Sequence, residues 1–244
     1  GGRVLATADG GRSFSRRTTL PGNANDLLCT GALTCFTAGV GNIQRTDDGG
    51  VSWTQVSTSP YPLNRLATAG PLTMYAVGYT VAKSTDGGQT WDTSFPSGVP
   101  ARELTGISCG DEFHCLMTTR DNPTQFGPLY RTVDGGVTAT AVTPSTDPTF
   151  AVAFADSTRV IAAGGVGSAE VSNDAGATWS SVGSRTAGSF GILTAAGGDV
   201  AYSGGAQGAL IRTKDGGQTW LNVSPPTDSD ITSLAGWGSS RWAA

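Results

Sequence analysis

Histidine occurs once in these 244 residues, at His114, and lysine twice, at Lys83 and Lys214. Glutamate is confined to Glu103, Glu112 and Glu170, and charged residues of both signs make up only 14% of the chain. Each shortage excludes something. A net charge of −4 without a basic run argues against nucleic acid or an anionic membrane surface as the partner. No apolar stretch approaches the roughly 18 residues of a spanning helix, so no direct membrane insertion is expected. With 38% hydrophobic residues the chain is too apolar for a disordered one. It opens Gly-Gly-Arg with neither an initiating Met nor a signal-like start, which reads as a processed or trimmed chain.

Glycine is what the chain has in excess: 36 residues, roughly twice the usual share. It follows no three-residue period, so collagen is excluded. Six segments instead share the pattern Ser/Thr-x-Asp-x-Gly-x-Ser/Thr, five of them followed by an aromatic: Thr7–Phe14, Thr46–Trp53, Ser84–Trp91, Thr132–Ala139, Ser172–Trp179 and Thr213–Trp220. Their aspartates, Asp9, Asp48, Asp86, Asp134, Asp174 and Asp215, are spaced by 39, 38, 48, 40 and 41 residues. The residues after Asp215 and those up to Asp9 together make 38, one further period. A solenoid has no reason to close its count in this way, whereas a ring must.

Each period reads as four short strands bounded by turn residues, with 26–30, 35–39, 43–46 and 53–57 as the template. Four strands per period of about 40 residues describe an all-β, six-bladed β-propeller. The expected domain is single, 1–244, with the aspartate motifs in the hairpins between third and fourth strands. One blade would be assembled from both chain ends, about 1–20 with 230–244.

The repeated motif resembles the Asp box, or BNR repeat. The wider run around it resembles the photosystem-II-assembly-factor-like family of propeller repeats. Asp boxes also occur in sialidases, sortilin-type receptors and xyloglucan hydrolases, so the resemblance implies a fold more than an activity. The local chemistry fits a structural corner. The Asp can accept loop N–H groups, the glycines supply positive φ, and the aromatic can pack between blades. A calcium loop would want six to eight oxygens where each box offers one or two carboxylates. No metal and no cofactor are expected. The resemblance also implies that the boxes lie on the face opposite a ligand-binding funnel.

Two Cys-x5-Cys units, Cys29 with Cys35 and Cys109 with Cys115, straddle the turn between first and second strands in periods two and four. Two hairpin disulfides are expected rather than one metal site, because a blade separates the pairs and His114 is the sole histidine to help. Disulfides imply an oxidising compartment: secreted, periplasmic or cell-surface. The preference for Arg over Lys, with abundant Ala and Gly, suggests a GC-rich bacterial source.

Aligning the periods on the glycine that ends the second strand puts Asp26, Arg65, Gly106, Ala151, Gly191 and Thr232 at one position of the channel-lining strands. That ring holds one acid and one base, whereas glycoside hydrolysis needs two carboxyls flanking one bond. Asp26 and Arg65 read either as an inter-blade salt bridge or as a substrate-binding pair. Sialidase-like chemistry would also need an Arg-Ile-Pro motif, which does not occur. A Ser–His or Cys–His engine has no base, since His114 falls in a disulfide hairpin on the far face. No catalytic residue is assigned.

The fourth period is the longest, and its extra residues fall in 118–128, between second and third strands. That loop carries Arg120, Asp121, Asn122 and Phe126, and reads either as a recognition loop or as a tolerated insertion. Arg16, Arg17, Tyr61, Tyr79, Arg102 and Arg185 are the other polar or aromatic residues expected on the same face. Two functions follow. One is a non-enzymatic binding or assembly module recognising a protein or glycan on the funnel face. The alternative is a glycan-active hydrolase or lyase with a non-standard site.

Overall fold

A computed structural model describes residues 2–9, 12–20, 22–122, 125–144, 149–165, 168–182, 190–197, 199–224, 228–237 and 241–243. The chain divides into two compact units, Gly1–Phe95 with Glu103–Thr105, and Pro96–Arg102 with Gly106–Ala244.

In the first unit, β1 (Arg3–Ala6) and β2 (Ser15–Thr19) form a two-stranded sheet. Two four-stranded antiparallel sheets follow: β3 (Ala24–Cys29), β4 (Cys35–Gly39), β5 (Asn42–Thr46) and β6 (Thr54–Thr58), then β7 (Leu63–Thr68), β8 (Met74–Gly78), β9 (Val81–Ser84) and β10 (Asp92–Ser94). The next sheet is built from β11 (Glu103–Cys109), β12 (Cys115–Asn122), β14 (Leu129–Thr132) and β15 (Thr140–Val142), with β13 (Gln125–Phe126) added to β12. Two more four-stranded sheets complete the second unit's full repeats. They are β16 (Thr149–Phe154), β17 (Val160–Gly164), β18 (Ala169–Ser172) and β19 (Ser180–Val182), then β20 (Phe190–Gly197), β21 (Val200–Gly205), β22 (Leu210–Thr213) and β23 (Leu221–Asn222). β24 (Ala235–Trp237) and β25 (Arg241–Ala243) pair as a final two-stranded sheet. Among the described residues there is no α-helix.

The strand order is the expected meander, and burial follows it. The second strands β8, β17 and β21 are buried along their whole length, whereas the fourth strand β10 is exposed throughout. A strand buried on both faces reads as a continuous apolar run, as Met-Tyr-Ala-Val-Gly does. Cores form between consecutive sheets. Phe36, Ala38 and Ile43 pack with Leu63, Leu66, Met74 and Ala76 in one cluster. Leu116 and Leu129 pack with Val152, Val160 and Ala162 in another, and Ile161, Ala169, Val171 and Val182 join Ala201 in a third.

The motif tryptophans close these seams. Trp91 packs on the first cluster, edge-on to Phe36 at 6.3 Å between ring centroids. Trp179 and Trp220 occupy the matching places on the second and third. Their indole N–H groups donate to Gly88, Gly176 and Gly217 carbonyls at 3.3, 3.2 and 3.1 Å. Each of those glycines has positive φ, and each faces the preceding sheet. A Cβ there would collide with the Phe36 ring at Gly88, with Leu116 at 2.7 Å at Gly176, and with Val171 at 2.8 Å at Gly217. The motif's second glycine therefore answers two demands, a left-handed turn and close approach by the neighbouring sheet.

The fourth repeat has Ala139 where the others have an aromatic, and the structure supplies the reason. The segment Pro96–Val99 runs alongside, with Ser97 N–H donating to the Val137 carbonyl at 3.0 Å and Ala139 N–H to the Ser97 carbonyl at 2.8 Å. Gly98, at φ +91°, crosses directly over the Ala139 carbonyl, and Ala139 is buried. The chain entering this repeat thus lies against the residue that is an aromatic in the other five motifs.

Both expected disulfides are present, Cys29–Cys35 and Cys109–Cys115, each closing a first-to-second-strand hairpin. Of the insertion at 118–128, residues 118–122 and 125–128 form more than a loop. β12 continues through it, Arg120 pairs with Phe126 and Asn122 with Gln125. Thr119 fixes the return through its hydroxyl, which donates to the Pro128 carbonyl at 2.7 Å, and through its carbonyl, which accepts Gly127 N–H at 3.0 Å. No helix among the described residues is long and apolar enough to cross a membrane.

Candidate functional site

In a four-stranded meander the second-to-third turns and the connections to the next sheet share one end, and the motif hairpins occupy the other. The motif end is a hydrogen-bonding corner. Asp48 Oδ1 accepts Val51 N–H and Ser52 N–H, both at 2.9 Å, and the Thr46 hydroxyl at 2.7 Å. The Ser52 hydroxyl donates to its other oxygen at 2.5 Å. Asp9, Asp86, Asp134, Asp174 and Asp215 bind the Ser or Thr four residues on in the same manner. Donors that favour the carboxylate lower its pKa. The Thr138 hydroxyl and N–H hold Asp134 at about 2, and Ser13 does the same for Asp9. At Asp174 burial pushes the other way, but the Thr178 hydroxyl and N–H bring it to about 2 as well. Because the folded values lie below the unfolded one, these corners contribute fully above about pH 4 and lose their contribution as pH falls through the folded values. No group of three or more potential metal-ligating side chains occurs among the described residues.

At the other end, first strands enter with a bulge. In β3 the register skips Asn25 between Ala24 and Asp26, and in β7 it skips Asn64 between Leu63 and Arg65. Phe150 in β16 and Gly191 in β20 hold the same bulge. The pairing of Phe190 with Gly205 and Ile192 with Gly204 makes Ile192, not Gly191, the counterpart of Asp26. Two adjacent glycines ending β21 produced the one-residue slip in the sequence alignment. Thr232 lies outside the strands.

The bulged asparagines reach forward. The Asn25 amide donates to the Leu63 carbonyl at 2.9 Å, and the Asn64 amide to the Leu104 carbonyl at 3.0 Å and to Glu103 at 3.1 Å. Sequence reasoning passed over both residues, although Asn-x-Leu recurs at 25–27 and 64–66. Asp26 does the same work with its carboxylate, which accepts Leu66 N–H at 2.8 Å. Arg65 does not close an ion pair on it. Its guanidinium donates to the Asn25 and Asn64 carbonyls at 3.4 Å.

Burial raises the Asp26 pKa above its ordinary value, against the opposing pull of Leu66 N–H and the Arg65 charge. A carboxyl whose folded pKa is raised costs stability that builds up as pH rises above the unfolded value and is complete above the folded one. Asp26→Asn keeps an oxygen for Leu66 and removes the charge. It is expected to melt higher than the parent near pH 7 and to match it at about pH 3.5, where both side chains are neutral. Paired thermal melts at the two pH values check this.

The inserted hairpin brings five expected residues together. Arg102 pairs with Asp121 and lies 5.9 Å from the Tyr130 ring centroid. The Arg120 guanidinium lies 5.2 Å above Phe126, whose ring packs against bulged Phe150 at 4.3 Å between centroids, tilted by 43°. Asn122 takes part through its backbone pairing. Tyr61 and Tyr79 stand exposed in the first unit. Arg185 lies outside the described residues.

No protein-family model matches the sequence, and no curated protein matches it either. Solved structures do match. That of YCF48 bound to D1 peptide aligns over 91% of this chain and 90% of its own, with 19% identity and a TM-score of 0.50. YCF48 from Cyanidioschyzon merolae aligns over 91% and 93%, with 16% identity and a TM-score of 0.54. An ancestral GH74 enzyme aligns over 89% of this chain but 32% of its own, with 13% identity and a TM-score of 0.67. The fold is a β-propeller. Five full sheets and two half-sheets are consistent with six blades. Identities this low carry the propeller fold and nothing of its activity.

Proposed function

We propose that this propeller is a non-enzymatic binding or assembly module of an oxidising, extracytoplasmic compartment, recognising a protein or glycan at the end opposite its aspartate motifs. The observation that carries the reading is the pairing and packing of residues 118–122 and 125–128. A tolerated insertion has no need to pack Arg120 over Phe126 and Phe126 against Phe150, or to pin Arg102 with Asp121. Partly exposed aromatic and arginine side chains held in place by packing are the usual carriers of binding energy. The YCF48 structure with a bound D1 peptide supports a protein partner on this fold, and the two disulfides support the compartment. The proposal includes one closed domain over 1–244, its sixth blade made from the two terminal half-sheets.

The test is a screen of peptide and glycan arrays with the parent chain and the Arg120→Ala/Phe126→Ala variant. Binding that drops by about tenfold or more in the variant supports the hairpin as a recognition site; binding that survives unchanged overturns that role for the hairpin, and no binding on either array overturns the reading. A hydrolase or lyase is the second reading, favoured by the half-buried Asp26 carboxyl, since a raised pKa suits a general acid. Turnover of reporter glycosides that Asp26→Ala abolishes would replace the first reading with this one.

A further inference from the structure

The first unit carries a second surface at the same end as the inserted hairpin's counterpart turns, and its chemistry is different. Three turns meet there. Ser59 N–H donates to the Gly41 carbonyl at 3.1 Å, tying the β6–β7 connection to the β4–β5 turn. Tyr79 N–H donates to the Pro62 carbonyl at 3.1 Å, tying the same connection to the β8–β9 turn. These bonds set Val40, Tyr61 and Tyr79 on neighbouring turns, where they are 61%, 54% and 50% exposed.

Such exposure is costly for apolar side chains, yet the backbone beneath them is stiff. Ser59 is buried, its hydroxyl donates to the Tyr61 carbonyl at 2.7 Å, and it accepts Tyr61 N–H at 3.3 Å. Pro60 and Pro62 bracket Tyr61 and restrict it further. Gly78 N–H donates to the Thr80 carbonyl at 2.9 Å and closes the turn that presents Tyr79. Two large rings are thus held out with little entropy left to lose on binding. Neither phenol hydroxyl has a hydrogen-bond partner among the described residues.

The residues of these turns, 39–42, 58–62 and 78–80, include no charged side chain. They offer Asn42, Thr58 and Thr80 as neutral hydrogen-bonding groups instead. An ionic ligand would gain nothing there. An uncharged ligand with an apolar face and many hydroxyls would use both features, the rings for its C–H face and the amide and hydroxyl groups for its rim. That description is a neutral oligosaccharide. We propose that Tyr61 and Tyr79 form a stacking site for a neutral glycan, separate from the inserted hairpin. The proposal rests on the binding-module reading and names a ligand class for part of it.

Isothermal titration of the full chain with cellohexaose, mannohexaose and chitohexaose, and with hexagalacturonate as the charged counterpart, tests it. At least one neutral hexasaccharide should bind, with an affinity unchanged between about 50 and about 500 mM NaCl. Tyr61→Ala and Tyr79→Ala should each weaken it by about tenfold or more, whereas Tyr61→Phe and Arg120→Ala/Phe126→Ala should retain it. Binding of hexagalacturonate alone, binding that survives the double Tyr→Ala variant, or no binding of any neutral hexasaccharide overturns the proposal. An array ligand lost on Arg120→Ala/Phe126→Ala, together with no binding of any neutral hexasaccharide, would leave the binding module standing while this site falls.

Discussion

Gly88→Ala is expected to destabilise the protein by about 3 kcal/mol, lowering the melting temperature by roughly 6–12 °C. Two costs add at this position. At φ +80° an L side chain costs about 1–2 kcal/mol. The new Cβ would also lie inside the Phe36 ring, which cannot retreat because it is fully buried beneath Trp91. Gly87→Ala, one residue earlier in the same turn, separates the two costs. Gly87 has φ +73°, but its Cβ would meet only the end of the exposed Leu72 side chain at an ordinary 3.5 Å. Its loss should stay near about 1 kcal/mol. The fifth repeat already tolerates this change, because Ala175 occupies the first-glycine position at φ +56°. Denaturant or thermal unfolding of the two variants decides it: equal losses would show that backbone strain alone matters at Gly88.

Ala139→Trp is the second large effect, and its sign opposes the repeat consensus. Five of the six motifs carry an aromatic at this place, so a consensus argument would introduce one to stabilise the fold. Here the site is crowded, with Ser97 hydrogen-bonded to Val137 and Ala139 on either side of Thr138, and Gly98 crossing the Ala139 carbonyl. An indole would have to expel Pro96–Val99, at a cost of about 2 kcal/mol or more. The variant should unfold earlier than the parent and should be cut faster by trypsin at Arg102, just beyond the displaced segment. A variant that melts higher and resists trypsin would show that the segment yields its place without loss.

The parts legible in the sequence were those that depend on neighbours close along the chain. An Asp followed by glycines and a Ser or Thr builds its own corner, so the hairpins, the strand order around them and both cysteine pairs could be read from spacing. What escaped was set by partners far along the chain. Asn25 and Asn64 are bulged because of how β3 and β7 pair, and their acceptors lie 38 and 40 residues away. Ala139 looks like a decayed repeat until Ser97, in the previous connection, is placed beside it. The slip from Ile192 to Gly191 arose where Gly204 and Gly205 offered two equivalent anchors to the alignment. Of the candidate site, the residue types in the inserted hairpin were legible, but its order was not. Nothing local announces that Phe126 will find Phe150.

Several side-chain contacts between consecutive sheets run in one sense, although Arg65 reaches back to the Asn25 carbonyl. Asn25 reaches Leu63, Arg45 reaches the Gly87 carbonyl, and Arg131 reaches the Ala175 carbonyl, each from an earlier sheet to the next. In return the later sheet contributes the glycine and the tryptophan that receive the earlier one's Phe36 or Leu116. A duplicated or transplanted repeat therefore brings a donor half at one flank and a receptor half at the other, and neither is complete alone. The smallest piece that can be exchanged without orphaning polar groups is the seam, cut through the middle of two sheets. Recombination at sheet centres should preserve such a protein where recombination at the turns would not.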